Sequence, residues 1–233
     1  MDETTRTEML FDESASYEEM LARGIELSGE DQHFFIEGRI DDLRRHLPPD
    51  CVPRRILDFG CGVGHTAATL AAAFPEAEIV GVDQSRNALA RAASEYRSDR
   101  VTFRHSGDGW DREPFDLCYV NGVFHHIVPA ERLAAIGKIH GALRPRGCLA
   151  LFENNPLNPG TRLVMRRIPF DRDAIPLYPW QTRKLVFEGG FAPCLPTRYL
   201  FFFPRLLRGL RFAEAWLDRV PLGAQYYVLA TKQ

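Results

Sequence analysis

The spacing of apolar residues changes three times along the chain. From Tyr17 to Leu47 it is helical, with Met20, Leu21, Ile25, Phe34, Phe35, Ile40 and Leu43 as the apolar positions. Ser28-Gly29-Glu30-Asp31 breaks that run into two helices, the second capped by Ser28 or Asp31. Residues 1–16, polar and acidic, read as a loosely held arm, and Pro48-Pro49 closes the region. Between 55 and 152 short strand-like runs (55–59, 78–82, 101–105, 115–120, 147–152) alternate with helical ones (66–74, 85–96, 129–143). Such alternation predicts an α/β fold, a parallel sheet with helices on both faces. After Glu153 the rhythm is lost. Pro156, Pro159, Pro169, Pro176 and Pro179 exclude long helices, so 154–179 is an insertion over the end of the sheet. A helix at 181–187 follows, then strands at 197–203 and 225–231 around a helical insert at 206–220. These last two strands are expected to pair antiparallel at one edge. The reading is thus a helical cap over 1–50 and a seven-stranded, mostly parallel sheet domain over 51–233, with insertions at 154–179 and 204–222 above its substrate face.

Composition narrows the class. Lys and Arg number 29 against 31 Asp and Glu, a net charge of −2, which supplies no global field for nucleic acid or an anionic membrane. Hydrophobic residues at 45% and charged residues at 26% exclude a disordered chain. Five widely spaced Cys, with no C-x-x-C pair, indicate neither a disulfide framework nor a zinc site, and no metal is expected. The acidic start MDETTRTEML leads into no apolar segment, and no run approaches the ~18 apolar residues of a membrane span. The expectation is a soluble, cytoplasmic monomer or homodimer.

The chemistry begins at Asp58-Phe59-Gly60-Cys61-Gly62-Val63-Gly64, between the first strand and its helix. Gly60, Gly62 and Gly64 let the backbone turn sharply and let a ligand approach where a Cβ would collide. The helix N-terminus that follows offers N–H groups to an anionic part of that ligand. Asp83 ends the second strand 83 − 64 = 19 residues later, where an acid can accept the hydroxyls of a ribose. A nicotinamide dinucleotide is a competing ligand, because Gly62, Gly64 and Ala67 formally satisfy G-x-G-x-x-[G/A]. Asp58 argues against it: an acid there suits a ligand with sulfonium and ammonium charges better than a pyrophosphate.

With these motifs the chain resembles the class I S-adenosylmethionine-dependent methyltransferases, over roughly residues 54–153 and the terminal strand 225–231. ILDFGCGVGHTAATL is similar to the family's first motif and Val80-Gly81-Val82-Asp83-Gln84-Ser85 to the acidic one after it. Ser106-Gly107-Asp108-Gly109 occupies the adenine loop, and the 115–127 run resembles the fourth-strand motif with its trailing histidine pair. The resemblance implies a Rossmann-like sheet with a reversed edge strand and S-adenosylmethionine as cofactor. Residue by residue it puts the three glycines and Asp58 at the methionine part, Asp83 at the ribose, and Gln84, Asp108 and Gly109 around the adenine. Asn121 would meet the methionine moiety, and Arg39 is a candidate for its carboxylate.

Methyl transfer from a sulfonium is an in-line displacement that depends mostly on alignment. A hydroxyl or ammonium acceptor must in addition lose a proton, work suited to histidine. His125 and His126 follow the fourth strand at the ligand end of the sheet. Adjacent side chains diverge, so one should face the acceptor, and His126 is preferred. Glu153, ending the fifth strand, is expected to open onto the same face and to orient the acceptor or take its proton. Residues 198–217 combine arginines with Phe201, Phe202, Phe203, Phe212 and Trp216. They form a membrane-touching surface, an apolar acceptor pocket with arginines, or a cover element with solvated arginines. The expected function is methyl transfer to an oxygen or nitrogen of a small molecule, whether apolar, acidic or lipid-linked. The alternatives are a non-catalytic S-adenosylmethionine-binding protein and an NAD-binding oxidoreductase.

Overall fold

The computed structural model describes residues 24–168 and 174–233. The acidic arm, the first cap helix as far as residue 23 and part of the first insertion lie outside these described residues. The strands are β1 (Arg55–Phe59), β2 (Glu78–Asp83), β3 (Val101–His105), β4 (Phe115–Asn121), β5 (Leu143–Asn154), β6 (Phe191–Pro193), β7 (Arg198–Leu200) and β8 (Gln225–Lys232). The helices are α1 (Gln32–His46), α2 (His65–Ala73), α3 (Arg86–Tyr96), α4 (Arg132–Ala142), α5 (Pro159–Arg167), α6 (Pro179–Glu188) and α7 (Glu214–Leu217).

The central strands β1, β2, β4, β5 and β8 are buried on both faces over most of their length, which is why they are largely apolar rather than alternating with polar residues. Ile56, Leu117, Tyr119, Ala150, Phe152 and Tyr227 point to one side, where α1 and α2 add Ile36, Ile40, Leu43 and Leu70. Leu57, Cys118, Val120, Leu149, Leu151 and Val228 point to the other, against Ile136 and Ile139 of α4 and Val186 of α6. Three helix starts are fixed by side-chain oxygens that accept an otherwise unpaired backbone N–H: Asp31 from Phe34, Ser85 from Ala88 and Asn158 from Thr161. Asp31, not Ser28, therefore caps α1.

The strand order is β3-β2-β1-β4-β5-β8-β6, with β7 also paired to β8. β1 to β5 run parallel, and β8 runs antiparallel to β5, β6 and β7. Among the described residues the sheet thus has eight strands where the sequence pattern suggests seven. β6 pairs with Ala230–Lys232 and β7 with Gln225–Tyr227, so the two are successive pieces along one edge of β8. Pro196 lies in the gap between them and has no N–H to give to a ladder. The strand expected at 197–203 stops at Leu200 because Phe201 adopts a positive φ of 63°. In the first insertion the prolines still permit one nine-residue helix, α5, since Pro159 falls at its first turn, where an N–H would be unpaired in any case.

Strand order reverses between β1 and β4. Such a reversal opens a crevice at the carboxyl ends of the strands, where ligands bind in open α/β sheets. Asp58 and Asn121 stand on either side of it.

Candidate active site

The glycine loop leaves β1 by a turn that only glycine adopts cheaply. Gly60, Gly62 and Gly64 have φ of 77°, 51° and 91°. A Cβ on Gly60 would come within 2.3 Å of Val123 Cγ2, whereas one on Gly62 would meet nothing within 4 Å. The second position is therefore the open floor on which a ligand can lie close to the backbone. Asp83 fixes this floor, its Oδ2 accepting from the Gly62 N–H at 2.9 Å and its Oδ1 from the Ser85 N–H at 2.9 Å. Burial raises the Asp83 pKa, and these N–H groups oppose the rise. Each carboxylate oxygen keeps a lone pair for a hydroxyl.

Asp58 and Asn121 are the most informative atoms of the crevice. Asp58 Oδ2 and Asn121 Oδ1 are buried with no hydrogen-bond partner among the described residues. Two unpaired buried acceptors on adjacent strand ends are costly unless a donor arrives from a ligand. Burial, then the nearby Asp83 charge, push the Asp58 carboxyl up to about 8, with Arg39 opposing them. The same burial and the two carboxylates push Cys61 well above the usual thiol range, so this loop cysteine is not a nucleophile. An ammonium group would supply the donors that Asp58 and Asn121 lack. The residues present therefore fit the amino end of S-adenosylmethionine, and the open floor at Gly62 fits a chain laid beside it.

On the adenine side Gln84 and Asp108 are exposed, and Asp108 Oδ1 stands 3.9 Å from Arg86 Nη2. Gly109 has a φ of 63°, and its loop is pinned by Trp110, whose buried indole N–H donates to Ser106 O at 3.0 Å. Trp110 is a positioning residue that the sequence reading did not single out.

Arg39 is not a surface residue. It is buried on α1, its Nε donating to Tyr119 Oη at 3.0 Å and its Nη1 to Gln225 Oε1 at 2.8 Å. Gln225 in turn donates to Asn154 Oδ1 at 3.1 Å. This chain ties the cap helix to β4, β8 and β5 and sets the guanidinium in the wall of a cavity. Neither Tyr119 nor Gln225 carried a sequence signal for that role.

The cavity holds about 500 Å³. The strand ends contribute Asn121, Gly122, His125, His126 and Asn154; α1 contributes Phe34, Phe35 and Arg39. Opposite stand Val164 and Met165 of α5 and the run Phe201–Phe203. The Phe201 ring fills the place a side chain on Gly38 would take, 2.7 Å from an imagined Cβ there, and packs edge-on against Phe35 at 4.9 Å. Its left-handed backbone costs roughly 1–2 kcal/mol and keeps an aromatic ring in the cavity wall.

Glu153 and the histidine pair are arranged differently from the sequence reading. Glu153, expected to open onto the acceptor face, is 1% exposed and absent from the cavity wall. Its Oε1 accepts the Phe124 N–H at 2.8 Å and its Oε2 lies 2.6 Å from His125 Nδ1. An ionised carboxylate only accepts, so this contact is a hydrogen bond donated by the His125 Nδ1–H. Burial, followed by the His125 charge, pushes the preferred His126 down to about 3. Both rings stand on the cavity wall, and Glu153 holds His125 there from behind.

Among the comparisons with known proteins, residues 57–149 match the family model described as a methyltransferase domain. A trans-aconitate 2-methyltransferase of Pseudomonas aeruginosa is 36% identical over 113 residues, 47% of this chain and 38% of that protein. Another, from Rhodopseudomonas palustris, is 28% identical over 140 residues, 60% of this chain and 51% of that one. The chain thus spans about half the length, or less, of these curated relatives. A crystal structure of a SAM-dependent methyltransferase from Archaeoglobus fulgidus superposes with a TM-score of 0.62 at 17% identity, covering 87% of this chain and all of that one. Sheet order, glycine loop and family match together define a class I S-adenosylmethionine-dependent methyltransferase domain. Residues 57–149 match the methyltransferase-domain model, and S-adenosylmethionine is the cofactor of this class.

Proposed function

We propose that the protein transfers a methyl group from S-adenosylmethionine to an oxygen or nitrogen of a small, largely apolar molecule, with His125 taking the proton the acceptor loses. The observation that carries this reading is the buried Glu153–His125 pair with its imidazole on the cavity wall. S-adenosylmethionine, when bound, supplies an electrophilic methyl group on a sulfonium. Asp58 and Asn121 would hold its ammonium, Arg39 its carboxylate, Asp83 its ribose, and Gln84, Asp108 and Gly109 would border its adenine. His125 Nε2 would accept the acceptor's proton, and the Glu153 carboxylate would stabilise the resulting imidazolium. Phe34, Phe35 and Phe201–Phe203 would orient an apolar acceptor and exclude water from it.

The relatives' names suggest a second reading, a carboxylate acceptor, which needs cationic partners and no base. The two arginines of the cavity wall give it less support. Arg39 would already be taken by the cofactor's carboxylate, and Arg211 is bound to Glu30 at 2.9 Å and to the carbonyl of Phe203. A labelled-methyl transfer assay over phenols, aromatic amines and trans-aconitate separates the two readings. Transfer to a hydroxyl or amine that depends on His125 is expected. Transfer to trans-aconitate alone, at a rate unchanged in His125→Ala, would establish the carboxylate reading instead.

A further inference from the structure

Residues 205–210, between the cavity-lining Pro204 and Arg211, stand outside the cavity. Residues 204–210 are all exposed, three of them leucines. Leu206 is 92% exposed, Trp216 76% and Phe212 69%, and the two rings pack edge-to-face at 6.2 Å. Large apolar side chains standing this far into water, side by side, mark a binding surface rather than ordinary exposure.

Among the described residues, arginines dominate the charge around them. Arg205, Arg208 and Arg219 are exposed on this segment, and Arg162, Arg166 and Arg167 on α5, across the same cavity, flank the exposed Leu163. The two acids of the segment are already engaged: Glu214 accepts the N–H groups of Phe202 and Phe203, and Asp218 takes Arg198 at 2.5 Å. The net charge of −2 thus conceals a local patch in which arginines surround leucine, phenylalanine and tryptophan.

We propose that this face docks on an anionic phospholipid bilayer. Leu206, Leu210, Phe212 and Trp216 enter the boundary between headgroups and acyl chains, and the arginines meet lipid phosphates. Arginine stems lie along apolar surface while their heads reach the phosphates. A second copy of the chain is a poorer occupant, because a two-fold contact sets the same arginines against one another. The inference goes beyond the proposed reaction and does not depend on it, since lipid binding is measured without any acceptor.

The test is co-sedimentation of the full chain with vesicles of phosphatidylcholine alone and with about 30% phosphatidylglycerol. Binding to the anionic vesicles only, weakening with salt, is expected, together with a blue shift in fluorescence that Trp216→Phe removes. Arg208→Ala should weaken binding roughly fivefold and the Leu206→Ser/Leu210→Ser pair about tenfold or more. All three positions are exposed outside the cavity wall, so thermal unfolding should be unchanged. Equal partition onto neutral vesicles, or none onto anionic ones, would overturn the proposal. So would self-association abolished by the leucine pair, which assigns the face to a second copy. Cross-links from this face to the acidic residues 1–23, without vesicle binding, would assign it to the chain's own N-terminal segment.

Discussion

His125→Ala loses between about 10²- and 10⁴-fold in kcat and binds S-adenosylmethionine as tightly as the parent chain, because a general base acts on the acceptor and not on the cofactor. Glu153→Gln keeps the shape of the pair and removes the charge that stabilises the imidazolium, so it too lowers kcat with little effect on cofactor affinity. The two residues act as one unit, and the double variant should be scarcely worse than His125→Ala alone. His126 supplies the control. Pushed down to about 3, it stays neutral across the working range, so His126→Ala leaves the shape of the pH–rate profile unchanged. A single-turnover pH series on the four proteins checks all of this. A profile altered by His126→Ala and untouched by His125→Ala would reverse the assignment.

Asp58→Asn has the second large effect, and its sign is set by pH. The free protein holds Asp58 at about 8, so at neutral pH its carboxyl is protonated, while an ammonium partner favours the ionised form. Binding then releases a proton, and affinity rises about tenfold per pH unit between pH 6 and 8 before levelling off. Asp58→Asn should bind roughly 10- to 150-fold more weakly at pH 8 and lose that slope. Stability moves the other way. The folded value lies above the unfolded one, so the unfolded chain ionises first. The free protein loses up to about 1.4 kcal/mol per unit as pH rises from 4 toward 8. Asparagine removes this penalty, and cofactor-free Asp58→Asn should melt higher than the parent chain at pH 8. A denaturation series over that range measures it.

Much of the architecture was legible because short apolar runs alternate with runs of period 3.6 along the chain. A parallel sheet needs apolar strands, and a glycine turn needs its glycines, so β1–β5 and the loop at 60–64 announce themselves. Asp58, Asp83 and Asn121 were readable for the same reason: each ends a strand beside the crevice. The histidine pair was located but not ordered. Which ring is the base depends on Glu153, 28 positions away along the chain. The β4–β5 register sets Asn121 opposite Phe152 and so brings Glu153 beneath the loop after Asn121. Local pattern carries no such register. Nor could it show that Tyr119 and Gln225 hold Arg39, contacts 80 and 186 positions apart. The split of the edge into β6 and β7 turns on Pro196 and on the positive φ of Phe201, a conformation rare enough in phenylalanine that no sequence pattern predicts it.

The central claim is that the crevice between β1 and β4 receives S-adenosylmethionine by its ammonium end. Isothermal titration of the full chain with S-adenosylhomocysteine and, separately, with NADH, in buffers of different ionisation heat, tests it most directly. Saturable binding of S-adenosylhomocysteine with a proton released near pH 7, and no binding of NADH, is the predicted result. Binding of NADH with none of S-adenosylhomocysteine would contradict it.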